Sequence, residues 1–108
     1  MGSLKRNSDS CRDIIGCSIQ FFREWIEFQF YDNISWENQG KHWHLDHVIP
    51  CITFDLVDIN QQRFCFNWKN YQPLRSDKNQ SKRNKRCLYM EMLQELKAKV
   101  FVKQNDLN

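Results

Sequence analysis

Nothing in this chain is long and apolar enough to span a bilayer, and no secretory leader precedes the first charges. A membrane protein or a secreted one is therefore not expected. None of the five cysteines (11, 17, 51, 65 and 87) stands in a Cys-x-x-Cys pair, so the common zinc-ribbon spacing is absent. Scattered thiols in odd number fit a soluble, intracellular protein in a reducing compartment, with several cysteines buried as small hydrophobes. Nor is there a strong excess of one charge: the net value of +3 does not by itself identify a nucleic-acid partner.

What is present fits one small domain. At 108 residues a limited core is possible, and four Trp, eight Phe and three Tyr supply its apolar area. Residues 1–16 read as a polar lead-in, 17–104 as the domain and 105–108 as a frayed tail. Met1-Gly2-Ser3 has the look of an expression scar.

Helical periodicity opens the domain. Ser18 caps a predicted helix from Ile19 to about Tyr31, whose stripe of Phe22, Trp25, Ile26 and Phe30 serves core packing. Asp32-Asn33 closes it, and Asn38-Gln39-Gly40-Lys41 reads as a turn. Strand one is expected from His42 to Ile49, ended by Pro50. Asp58 caps a short helix, Ile59 to Phe66, with Phe64 and Cys65 turned inward. Strand two is expected over Asn70 to Gln72 and stopped by Pro73. Asp77 caps a helix from Lys78 to Arg86. A last helix, Cys87 to about Lys103, carries Leu88, Met92, Leu96 and Val100 at four-residue steps as its packing face, with Glu91 and Glu95 outside.

Two blocks carry chemistry. The first is Trp43-His44-Leu45-Asp46-His47-Val48-Ile49-Pro50, where a carboxylate and an imidazole sit at a strand end. The carboxylate suits a hard cation, and the neutral imidazole suits proton abstraction from water. The second runs from Phe66-Asn67-Trp68-Lys69-Asn70-Tyr71-Gln72-Pro73-Leu74 to Asn79-Gln80-Ser81-Lys82. Strand alternation sends Asp46 and His47 apart, so a shared site requires a bend or bulge near Pro50.

Over residues 17–86 these blocks resemble the HNH endonuclease family, in a compact phage- or virus-type branch. The resemblance implies an α+β protein with a ββα-metal (His-Me finger) core. Its short two-stranded hairpin would be packed by an N-terminal and a C-terminal helix. It implies metal-dependent hydrolysis of phosphodiester bonds in DNA, with RNA left open. Asp46 stands at the first metal ligand and His47 at the general base. Asn70 stands at the central Asn, which ties the long loop to the strand and fixes the base. Asn79 takes the last position, where many members carry His, and Tyr71 replaces a common Leu. With oxygen donors at both ligand positions, one divalent ion, Mg²⁺ or Mn²⁺, is expected in preference to Zn²⁺ or Ni²⁺.

The segment Arg75 to Arg86 holds six basic residues against one acid. Lys78, Lys82, Arg83, Lys85 and Arg86, with His44 from the strand, are the candidate phosphate contacts; a solvated helix face is the plainer alternative. His42 reads as exposed and Trp68 as packed. Without a separate target-recognition domain, specificity would need a homodimer or a recognition partner. The rival readings are a catalytically inactive HNH-fold nucleic-acid-binding module and, less favoured by the spacing, a structural zinc domain.

Overall fold

The computed structural model describes residues 12–82 and 84–107, apart from the side chains of Asn79, Gln80, Ser81, Asp106 and Leu107. Its regular elements are α1 (Ile19–Phe28), β1 (Trp43–His47), α2 (Ile59–Phe66), β2 (Tyr71–Arg75), α3 (Ser76–Lys82) and α4 (Leu88–Leu107), joined by short 3₁₀ turns. The fold is thus mixed helix and sheet, with a single antiparallel hairpin among the described residues.

α1 begins where Ser18 Oγ accepts the Phe21 amide at 3.1 Å, which satisfies one orphan donor of the first turn. It ends three residues before Tyr31 because the last bonds tighten. Gln29 N–H reaches Ile26 and Phe30 N–H reaches Glu27, both i to i−3. Asp32 and Asn33 then take positive φ (46° and 65°), a region these short polar side chains tolerate. Trp25 and Ile26 are fully buried, and the core is built from aromatic edges. Trp25 meets Trp68 at 5.2 Å and Phe101 at 5.3 Å, while Phe30, Trp36 and Trp43 form a second cluster at 5.1–5.6 Å.

β1 and β2 pair in the register Trp43 with Arg75 through His47 with Tyr71. Both strands are shorter or shifted relative to expectation. β1 leaves the ladder at His47, and β2 runs through Pro73 to Arg75 instead of stopping there. A two-stranded sheet gives each strand one open edge, so a proline without a donor is tolerated opposite Leu45. The alternating faces are unlike. Tyr71 meets α1, with Phe22 edge-on at 5.1 Å, and Trp43 packs on Phe30 and Trp36, whereas α3 packs on the hairpin directly after β2.

Two packing expectations are corrected. Phe64 is exposed while Cys65 is fully buried: neighbouring helix positions point about 100° apart, and this short helix turns the Cys65 side to the core. In α4 the leucine stripe faces outward: Leu88, Met92, Leu96 and Val100 are 72, 59, 60 and 48 % exposed. Gln94, Ala98 and Phe101 pack inward instead. Gln94 Nε2 donates to the carbonyls of Lys69 and Tyr71, each at 2.8 Å, and small Ala98 lets the helix approach. These bonds to two backbone carbonyls, one of which (Tyr71) also accepts from Gln29 Nε2 at 3.2 Å, turn the polar Gln94 face inward against the apolar periodicity. α4 also continues to Leu107, past the expected end near Lys103.

Phe101→Ala is expected to cost about 3 kcal/mol in chemical denaturation. Leu96→Ala should cost about 0.5 kcal/mol or less. The reverse order would mean that α4 packs through its leucines.

Candidate active-site region at the end of the hairpin

The site is organised by Asn70, which closes the 3₁₀ turn before β2. Its Oδ1 accepts the Ile49 amide at 2.8 Å, and its Nδ2 donates to the carbonyls of Ile49 (3.0 Å) and Cys65 (2.9 Å). The Val48 amide adds a bond to the Asn70 carbonyl at 2.8 Å. One buried side chain thus holds the exit of β1 to the end of α2, the tie expected of a central Asn.

Asp46 and His47 leave β1 on opposite faces, since the strand pairs regularly to its end without a bulge. The bend expected near Pro50 therefore does not reunite them. Across the ladder from Asp46 lies Gln72, whose Nε2 donates to Asp46 Oδ2 at 2.9 Å. Lys82 Nζ stands 3.3 Å from the same oxygen and donates to the His47 carbonyl at 2.9 Å. The side chains of Lys82 and Asp46 are only 7 and 11 % exposed, so each neutralises the other in a poorly solvated place.

The imidazole of His47 faces the other way, 4.6 Å from the Tyr71 ring and 5.7 Å from Phe66. Its Nε2 is buried with no hydrogen-bond partner. Burial holds the ring's pKa below the ordinary imidazole value; Asp46 opposes this and Lys82 reinforces it. Beside it are two thiols that sequence reading treated only as reduced cysteines. Cys65 Sγ donates to Cys51 Sγ at 2.8 Å, and burial with this neighbour pushes the Cys65 pKa up to about 12. His47, Cys51 and Cys65 each offer a ligand atom within 4.8 Å of the others, a group able to hold a metal ion. No short motif betrays the trio, because its members come from β1, the turn after Pro50, and α2.

The remaining candidates are dispersed. His44 is exposed on β1. Lys78 Nζ lies 5.3 Å over the Tyr31 ring, and Lys85 is exposed. Arg86 spends its guanidinium on Glu91 in a paired contact at 2.7 and 3.0 Å, and Lys82 is committed to Asp46. Two of the expected phosphate contacts thus already hold internal acids. Arg83 and the side chain of Asn79 lie outside the described residues, although the α3 backbone carries position 79 directly beyond β2. A cleft of about 540 Å³ opens between α2 and α4, lined by Phe54, Arg63, Phe64, Lys69 and Glu95 among others, but neither Asp46 nor His47 lines it.

Two proteins of Acanthamoeba polyphaga mimivirus, both described as uncharacterized, are similar to this chain. One is 50 % identical over 78 residues, which is 72 % of this chain and 34 % of the relative; the other is 48 % identical over 68 residues, 63 % and 30 %. The chain therefore spans about a third of the length of the curated relatives it matches. Their source is in keeping with the expectation of a virus-encoded protein. No family model matches, and neither does any solved structure. Among the described residues no helix is long and apolar enough to cross a membrane.

Asn70→Ala leaves one buried amide and two carbonyls without partners, so a loss of about 3 kcal/mol is expected, at roughly 1 kcal/mol for each bond. Equilibrium unfolding against the parent measures it. A second prediction concerns acid. The folded state favours the neutral His47 ring, so this stabilisation is complete above the ordinary value of 6.5 and is lost as pH falls through the lower folded pKa. His47→Gln should therefore lose less stability than the parent between neutral and mildly acid pH; an equal loss would contradict the assignment.

Proposed function

We propose that this chain is a metal-dependent endonuclease domain of the HNH type, with a ββα-metal core, hydrolysing phosphodiester bonds in DNA. One observation carries the reading: Asn70 binds the exit of β1 at the point where Asp46 and His47 leave the hairpin, while α3 follows β2 without an intervening residue. This is the order that the resemblance requires, hairpin first and ligand-bearing helix next.

The donor chemistry fits a hard cation. Asp46 offers carboxylate oxygens, Asn79 on α3 would add an amide oxygen, and the Lys82 ammonium against Asp46 marks a place that holds positive charge. When bound, Mg²⁺ or Mn²⁺ supplies Lewis-acid neutralisation of the phosphate and support for the leaving oxygen.

The chain's own residues do the rest. Gln72 fixes the Asp46 carboxylate by its 2.9 Å bond. His47 takes the proton from the attacking water. With Nε2 turned inward, Nδ1 is the nitrogen that accepts it, and the burial that lowers the ring's pKa keeps it neutral near pH 7. Because Asp46 and His47 diverge, the phosphate lies across the end of β1, where the ladder stops. Lys78 and Lys85, with Arg83 nearby in sequence, carry the backbone of the nucleic acid. The alternative is an inactive HNH-fold binding module, which the internal pairing of Lys82 with Asp46 favours.

In a plasmid-nicking assay with Mg²⁺, His47→Ala is expected to reduce the rate by about a hundredfold or more while DNA binding persists. Chelator should abolish nicking, and Asp46→Ala should do the same. Undiminished cleavage by His47→Ala ends the mechanism. Binding with no cleavage by the parent protein establishes the inactive module.

A further inference from the structure

Behind the proposed base lies a second constellation that the nuclease reading does not use. His47, Cys51 and Cys65 come from three elements, and their ligand atoms lie within 4.8 Å of one another. Two independent features mark the trio as more than chance packing. The His47 Nε2 atom is buried and has no hydrogen-bond partner, although buried imidazole nitrogens are ordinarily satisfied. The backbone around the thiols is also fixed from outside, because Asn70 holds the Cys65 carbonyl and both polar groups of Ile49, two residues before Cys51. Such an arrangement resembles the outer support that orients metal ligands.

We infer that His47 Nε2, Cys51 Sγ and Cys65 Sγ form a site for a thiophilic divalent cation of the Zn²⁺ type, and that filling it switches His47 off as a base. One imidazole nitrogen and two sulfurs are the donors Zn²⁺ takes, with a fourth position left to water. A hard cation such as Mg²⁺ has no oxygen ligand among these three side chains and is excluded. Charge also balances. Binding releases one proton from each thiol to solvent, so two thiolates and a neutral ring offset the dication in a poorly solvated place.

The consequence for His47 follows from its tautomers. A neutral imidazole carries one proton. If the metal occupies Nε2, that proton must sit on Nδ1, which then cannot accept another from water. The shut-off rests on the proposed role of His47; the metal site does not. The two cations would thus act oppositely: Mg²⁺ at Asp46 supports cleavage, and Zn²⁺ behind His47 silences it.

Reduced protein titrated with Co²⁺, a spectroscopic stand-in for Zn²⁺, tests the site without reference to activity. One equivalent should give an intense thiolate-to-cobalt charge-transfer band and tetrahedral visible bands, both erased by Zn²⁺. Cys51→Ser and Cys65→Ser, checked for folding by circular dichroism, should each weaken binding by about a hundredfold or more, beyond what loss of an outer support costs. Cys87→Ser should bind as the parent does. A spectrum without the charge-transfer band, or one that survives both substitutions, overturns the site. Zn²⁺ added to the Mg²⁺ nicking assay should inhibit the parent but not Cys65→Ser. A cobalt site with zinc-indifferent nicking overturns the shut-off and leaves the site standing. A cobalt site in a protein that never nicks overturns the nuclease reading, and the shut-off with it.

Discussion

The bonds that Asn70 makes to Ile49 and Cys65 are the constraint on which the rest of this region depends. Between β1 and β2 the chain runs from Val48 to Asn70, long enough to wander if only its ends were paired. A single buried amide with both ends satisfied removes that freedom. It sets where His47 leaves the ladder, where Cys51 follows Pro50 and how the end of α2 meets the hairpin. Replacing such a group leaves buried donors and acceptors unpaired, which costs more than its own bonds contribute. Position and stability are therefore the same matter at this residue.

From that tie the two faces of the hairpin diverge. On one, the Asp46 carboxylate is held by the Gln72 amide and the Lys82 ammonium. On the other, His47 lies among Tyr71, Phe66 and two thiols, a soft and poorly solvated setting. A short strand with no bulge imposes this separation, because its side chains must alternate. The chemical contrast between the faces puts an oxygen donor and a nitrogen-and-sulfur group on residues one position apart.

The basic segment shows how sequence charge and available charge differ. Six cations between Arg75 and Arg86 suggest a continuous phosphate-binding face. Folding returns Lys82 to Asp46, Arg86 to Glu91 and Arg75 to Asp77, while Lys78 lies over the Tyr31 ring and Lys85 is exposed. The viral relatives, about three times as long as the matched share, supply further chain in their own context.

Local rules were enough for part of this. The caps at Ser18 and Asp58, the span Ile59–Phe66 and the packing of Trp25 and Trp68 are legible in sequence because each depends on near neighbours or on residue type, whereas the tie at Asn70 was expected only from the family resemblance. The face of α4 was not legible: leucines at four-residue steps point to one side, yet two carbonyls on Lys69 and Tyr71 draw Gln94 inward and turn the helix. Nor was the grouping of His47, Cys51 and Cys65, since residues 4 and 18 positions apart meet only after the hairpin and α2 are docked. Sequence fixes what a residue can donate or accept and how its own turn or strand runs. Which side chains finally share a space is decided by long-range packing and by the need to satisfy every buried polar group, and neither is written in local spacing.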